Sequence, residues 1–177
     1  MLNRTHLVAL AALAFVACAA PNEEQAVETT TPQLQTSYTV AIQGFDGTYV
    51  ACELALDSAD KGKLVSSRTS PGDWEKFTLF ELGDNKIALQ AANGKYVCCD
   101  DYRAGLLVAD RDQIGDWETF TLVPQENGTV ALQAWNKRYV TAEYSLPDAG
   151  KGTLLGIREE IREWERFTLV KDLPAVQ

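Results

Sequence analysis

Apart from His6, close to its amino terminus, the 177-residue chain contains no histidine. A domain downstream of that position has no imidazole for a Ser-His-Asp or Cys-His nucleophile, none to ligate zinc, and none to titrate near neutral pH. Basic residues are also in the minority: 16 Lys and Arg stand against 25 Asp and Glu, a net charge of −9. Nucleic acid is thereby excluded as a partner, because phosphate binding rests on clustered Lys and Arg, and the acidity reads as solubility. Beyond Cys18 only three cysteines remain, Cys52, Cys98 and Cys99. That odd number does not make a disulfide framework, although a Cys52–Cys99 bridge stays open, and a cysteine-only zinc site would need a fourth ligand. Asp100, Asp101, Asp110 and Asp112 lack the glycine-marked loop that turns acidic runs into a calcium cage. No metal or cofactor is expected.

The apolar run from Leu7 to Val16 is too short to span a bilayer and follows a basic stretch containing Arg4. This is the pattern of an export signal over residues 1–18. Its end, Phe15-Val16-Ala17-Cys18, resembles the lipobox of bacterial lipoproteins, which implies lipidation at Cys18; Phe15 departs from the usual aliphatic residue, and ordinary secretion is the alternative. Residues 19–36 are rich in Ala, Thr, Glu and Gln with no aromatic, a composition that cannot bury enough apolar surface to fold. As a disordered tether it would reach about 25 Å. The resulting expectation is a chain exported and lipid-anchored at the cell envelope, touching the membrane through the anchor only. Ala19 stands where some bacteria place an inner-membrane retention aspartate, so the outer membrane or cell surface is favoured.

What the chain has in abundance is repetition. GDWEKFTL at 72–79 returns as GDWETFTL at 115–122 and REWERFTL at 162–169. Around these lie VAIQ, IALQ and VALQ, then TYVAC, KYVCC and RYVTA, then the glycine-led GKLVSSR, GLLVADR and GTLLGIR. The offset from Gly62, Gly105 and Gly152 to Trp74, Trp117 and Trp164 is always 12, and from Trp74 and Trp117 to Gln90 and Gln133 it is always 16. Only the Tyr-to-Gly separation varies, at 13, 9 and 13 positions, which places a variable loop there. The segments alternate with the period-2 pattern of half-buried strands, pairing Phe77 with Leu79 and Val97 with Cys99 on one face and leaving Cys98 facing outward. Asp46-Gly47 and Asn93-Gly94 fit tight hairpin turns with positive φ, and Asn136-Lys137 is the exception.

Four short strands in three copies predict twelve strands in an all-β domain over residues 37–173, with repeats at about 38–82, 83–125 and 126–172. One copy cannot close a core, whereas three around an axis close a barrel and cap it. This is the pattern of a β-trefoil. The three copies of Trp-Glu-x-Phe-Thr-Leu, with phrases such as ALQAANGKYV, resemble the repeat of the fascin-like trefoil family over essentially the whole domain. Trp74, Trp117 and Trp164 are expected to be core scaffold, because a shared core position explains triplication without a ligand. Glu75, Glu118 and Glu165, with Arg68, Arg111 and Arg158, are expected to close repeat junctions. Threefold equivalence does not supply the two unlike carboxylates of a glycosidase, so the chain reads as no enzyme.

What differs among the copies points to function, since the scaffold does not demand it. Asp100-Asp101-Tyr102 and Glu143-Tyr144 lead into variable loops, and Trp135 replaces Phe45 and Ala92 beside a turn. An aromatic face that covers the apolar side of a pyranose, with a carboxylate for its hydroxyls, is a sugar-binding combination. Asp100, Asp101, Tyr102, Trp135, Glu143 and Tyr144 are therefore the candidate ligand-binding residues. Covering the barrel end is their alternative role. Fascin-like trefoils in animals bundle actin with several trefoils in tandem, so actin-type binding by one trefoil is disfavoured. Single bacterial relatives imply a non-catalytic module. The leading expectation is a surface-anchored carbohydrate-binding or adhesion module with a polysaccharide or glycan partner. The alternative is a structural or protein-interaction module of a cell-envelope assembly, with a protein partner.

Overall fold

A computed structural model describes residues 36–171. The stretches expected to form the export signal and the tether, with Cys18 between them, lie outside the described residues except for Thr36. Twelve strands follow one another: β1 (Ser37–Gln43), β2 (Tyr49–Cys52), β3 (Leu64–Arg68), β4 (Lys76–Gly83), β5 (Lys86–Gln90), β6 (Tyr96–Asp100), β7 (Leu106–Arg111), β8 (Phe120–Pro124), β9 (Val130–Gln133), β10 (Tyr139–Glu143), β11 (Thr153–Arg158) and β12 (Thr168–Val170). Strand β1 pairs with β4 and β12, β4 with β5, β5 with β8, and β8 with β9. A bridge from Val130 to Phe167 closes this ring of six. The other six strands form the hairpins β2–β3, β6–β7 and β10–β11, each with its register shift directly after Tyr49, Tyr96 or Tyr139. The hairpins meet one another through Val65–Thr153, Leu106–Leu155 and Lys63–Val108, capping the barrel. The chain is a β-trefoil.

Three glycines make that cap possible. Gly62, Gly105 and Gly152 hold φ of +88°, +79° and +78°, a region that side chains rarely adopt. Their carbonyls accept hydrogen bonds from Ala109 N, Gly156 N and Ser66 N, respectively, at 2.7–2.8 Å. Each glycine thus serves the next repeat, and the third returns to the first. A Cβ on Gly62 would come within 2.8 Å of the Ala109 carbonyl oxygen, so the approach is open only to a residue without one.

The recurring eight-residue phrase divides its labour among three levels. Phe77, Phe120 and Phe167 are at most 1% exposed and fill the core, each contributing about 2–3 kcal/mol of burial. The glutamates close the preceding turn, with Glu75, Glu118 and Glu165 accepting from Gly72 N (2.6 Å), Gly115 N (2.8 Å) and Arg162 N (2.8 Å). Arg68, Arg111 and Arg158 then approach the same carboxylates at 3.7–3.8 Å. These ties close each repeat upon itself, and not the junctions between repeats that the repetition suggested, because each arginine and its glutamate are only seven positions apart across one turn. The tryptophans depart from expectation. Trp74, Trp117 and Trp164 precede their strands, and their side chains are half-buried outside the core cluster. Their scaffold role belongs to the backbone, where their carbonyls accept from Cys52 N, Cys99 N and Ala142 N at 2.9–3.1 Å.

Two further expectations are corrected. Cys98 is fully buried, as are its counterparts Ala51 and Thr141, although it points away from the Val97–Cys99 face. The reason is that Asp110, Arg111, Glu118 and Asp100 gather over it, with Asp110 Oδ1 3.6 Å from its sulfur. Cys52, Cys98 and Cys99 are free thiols, and burial, followed by the charge of neighbouring carboxylates, pushes each up to about 12. The turns after β1, β5 and β9 also differ from two-residue hairpins. They are five-residue loops closed from Gly44 N to Thr48 O, Ala91 N to Lys95 O and Ala134 N to Arg138 O. Only Gly47, Gly94 and Lys137 take positive φ, while Asp46, Asn93 and Asn136 accept from the amide two residues on. Positive φ at both central residues is found instead at Asp84-Asn85, between β4 and β5, and at Asn127-Gly128, between β8 and β9.

Candidate functional site

The short loop of the second repeat leaves room for little more than a single 3-10 turn, Asp101–Arg103. Asp100 caps it by accepting from Tyr102 N at 3.0 Å, and Ala104 ends it with φ of +54°. Tyr102 is thereby held on a fixed backbone while its residue is 91% exposed. An exposed aromatic on an ordered turn has apolar surface that folding has not used.

Neighbouring elements bring two more rings to it. Trp117 meets Tyr102 at 5.4 Å between ring centroids, tilted by 52°, and stacks on Trp135 at 5.4 Å with only 6° between planes. Trp135 comes from the third repeat and donates its indole N–H to the Cys99 carbonyl at 3.1 Å. The Arg111 guanidinium lies 5.8 Å from the Trp117 ring centre, adding a cation–π contact. Beside the rings, Asn136 Nδ2 donates to Asp101 Oδ1 at 2.9 Å and to the Gly156 carbonyl at 3.1 Å. The exposed Asp101 carboxylate keeps Oδ2 outside that bond. Three aromatic rings, a carboxylate and an amide thus converge where the second repeat meets the third.

The six residues picked from the sequence divide among different places. Asp101, Tyr102 and Trp135 come together in this cluster. Asp100 lies beneath it, 4% exposed, with its oxygens held by Arg103 Nε (2.9 Å), Arg111 Nη2 (3.2 Å) and Tyr102 N. Glu143 is 5% exposed and bonded to Arg158 and to Ser145 Oγ, so its carboxylate is likewise engaged inside the fold. Tyr144 belongs to the next junction, between the third repeat and the first. There its hydroxyl donates to Asp46 Oδ1 at 2.9 Å and lies 3.2 Å from Ser66 Oγ, and its ring meets Trp164 edge-on at 5.7 Å. Burial, with Asp46 alongside, raises the Tyr144 hydroxyl above its usual range while Ser66 opposes the shift. Partial burial pushes the Asp46 carboxyl up, but its bonds from Thr48 and Tyr144 prevail and hold it below its ordinary value.

Phe45, 54% exposed, stands at this third junction where Trp135 stands at the second. The remaining junction has Leu54, Trp74 and Ala92 at the equivalent positions and so lacks the aromatic partners. Two members of the cluster, Trp117 and Asn136, were not among the six. Trp117 was masked by its own repetition, and Asn136 by its match to the turn residues Asp46 and Asn93. Asp110 is held by Arg103 and Arg111, and Asp112 by Lys95, so the acidic residues nearby are already charge-paired.

The family model of the FRG1-like domain matches residues 54–168. No curated protein matches the chain in sequence. Among solved structures, ThreeFoil, a designed threefold-symmetric protein, superposes with a TM-score of 0.65 at 18% identity, over 75% of this chain and 98% of that one. A Polyporus squamosus lectin, solved with the epitope Neu5Aca2-6Galb1-4GlcNAc, gives 0.60 at 18% identity, over 77% of this chain and 50% of the lectin. The Rhizoctonia solani agglutinin gives 0.60 at 16% identity, over 77% and 96%. At such identities the likeness shows a shared fold.

Proposed function

The chain belongs to the FRG1-like domain family, and from that premise, with the aromatic junction described above, we propose that it is a non-catalytic carbohydrate-binding module. The observation that carries this reading is Tyr102, 91% exposed yet fixed by its capped turn, beside Trp117, Trp135 and the Asp101 carboxylate. A pyranose has an apolar face of C–H bonds that packs on an aromatic ring, and hydroxyls that donate to a carboxylate or accept from an amide. Tyr102 supplies the platform, Asp101 and Asn136 the polar grip, and Asp100 positions the turn. The lectins that share the fold are a supporting analogy. The recurring glutamates support a non-catalytic role, since each is spent on a backbone N–H and a guanidinium.

Tyr102→Ala combined with Trp135→Ala, the residue that the second repeat carries at the latter position, is expected to weaken glycan binding at least tenfold. Titration against the best neutral ligand of a glycan array measures this. Unchanged affinity, or silence across the array together with a stoichiometric protein partner, would overturn the reading in favour of an interaction module.

Display at the cell envelope, through a lipid on Cys18 and the segment that follows it, completes the proposal. It is motivated by the Phe15–Cys18 sequence. Radiolabelled palmitate should enter the wild-type protein in its bacterial host and not Cys18→Ser; incorporation into neither would leave a secreted module.

A further inference from the structure

A cleft of about 670 Å³ opens on the third repeat, between the turn that follows β9 and the segment joining β11 to β12. Its size lies within the range of small-ligand sites. Trp164 lines it, and Arg138, Arg162, Glu159, Glu160 and Glu163 stand around it. Arg138 also donates to the Ile157 carbonyl at 3.1 Å, but the fold makes no use of the Arg162 side chain. At the place of Arg162 the other repeats have Gly72 and Gly115, and all three residues serve the trefoil through the backbone N–H alone, donated to the glutamate three positions on. Where the third repeat writes Arg-Glu-Glu-Ile-Arg-Glu at 158–163, the first has Arg-Thr-Ser-Pro-Gly-Asp and the second Arg-Asp-Gln-Ile-Gly-Asp.

Stability does not account for the charges either. The Arg162–Glu160 pair (2.9 Å) has side chains 80% and 73% exposed, and the Arg138–Glu159 pair (3.1 Å) 45% and 78%. Ion pairs so open to water contribute little to folding and exchange readily for a ligand. Their signs narrow the ligand class. Besides the five charged residues already named, Arg158 and Glu165 also line the cleft, 3.8 Å from each other, so three guanidiniums and four carboxylates face it. An anionic ligand would meet the carboxylates, and a cationic one would meet the guanidiniums. An uncharged polyol can use both, donating hydroxyls to the carboxylates and accepting from the planar guanidinium forks, with the indole for its C–H face.

We propose that this cleft is a second site for an uncharged saccharide, independent of the junction at Tyr102, which makes a single trefoil bivalent for neutral polysaccharide. Two sites on one rigid domain raise avidity for a repeating polymer without any new contact at either. The inference rests on the carbohydrate reading above, and the two can fail separately.

The test follows the four indole N–H signals by NMR, assigned by single Trp→Phe variants, during titration with lactose, cellobiose and maltose. Digalacturonate and chitobiosamine serve as charged counterparts. The expected result is a shift of the Trp164 signal by a neutral sugar that persists in the Tyr102→Ala/Trp135→Ala protein. It should weaken at least tenfold in Arg162→Gly/Glu163→Asp, which restores the residues of the second repeat and keeps the turn-closing amide. The affinity should change less than about twofold between 0.05 and 0.5 M salt, since a neutral ligand is not screened. A Trp135 signal that moves while Trp164 stays still would overturn the second site and leave the junction intact. Stillness of both would overturn the carbohydrate reading as well. A Trp164 response to the charged sugars alone, lost in high salt, would show an ion-pairing surface and overturn the neutral-ligand assignment.

Discussion

Gly152→Ala is expected to destabilise the domain by about 3–5 kcal/mol, a large share of the 5–15 kcal/mol that holds a typical domain together. Two costs combine. An L side chain at φ of +78° costs about 1–2 kcal/mol by itself. The new Cβ would also run into the carbonyl oxygen of Ser66, whose amide is bonded to the Gly152 carbonyl at 2.8 Å, so neither strand can retreat without breaking the contact that closes the ring of hairpins. Gly62→Ala should cost less, because its Cβ stands farther from its backbone neighbour, at 2.8 Å from the Ala109 carbonyl. Gly105→Ala should be the mildest. Its nearest obstacle is the Ile157 Cγ2 at 2.8 Å, a side chain that can turn, with the Gly156 carbonyl at 3.0 Å. Urea unfolding of the three variants measures the order. A loss below about 1 kcal/mol for Gly152→Ala would mean that the hairpins part easily and that the ring does not hold the cap.

The second large effect is expected at Arg158. Its guanidinium bonds to Glu143 and lies 3.8 Å from Glu165, carboxylates whose side chains are 6% and 4% exposed. Arg158→Met keeps the aliphatic stem and removes the charge, leaving two acids facing each other out of water. Removing one partner of a fully buried pair costs about 3–5 kcal/mol. Arg158 is itself 42% exposed, so water can replace part of what is lost and about 2–3 kcal/mol is the expected figure. The same substitution at Arg111 should cost about half as much, because Arg103 Nε also donates to Asp100, at 2.9 Å, and remains to hold it. Urea midpoints at constant m-value decide between this and a surface-like effect. Losses of about 0.5 kcal/mol at both positions would place these arginines among ordinary exposed ion pairs.

The arginine clusters also explain why the site was only half legible in the sequence. Asp100 and Glu143 look like sugar-gripping acids beside tyrosines, and a linear reading does not show that an arginine of the next strand, Arg111 or Arg158, will take them. Tyr102 stands out in the sequence because the first repeat has Leu54 and no aromatic at the start of its loop, and the structure leaves it 91% exposed. Trp117 was hidden by the opposite logic. A residue written three times is credited to the core, whereas here the repeated part is the carbonyl that binds the hairpin, and the ring was left available for a different use in each copy.

The sequence by itself determined the number of strands, their order, the faces of Phe77 and Leu79, the need for glycine before each third strand and the trefoil that follows. Those features are local: alternation, turn chemistry and register repeat along the chain, and three closely similar phrases admit few other closures. Tertiary structure alone decided that Trp135 would reach back to the Cys99 carbonyl, 36 positions away, that Cys98 would be covered, and that one repeat would hold an open cleft. Each of these depends on where one repeat meets another or folds back on itself, and the physical reason is that side-chain packing across such junctions is fixed by distance in space, which the periodicity of a strand does not encode.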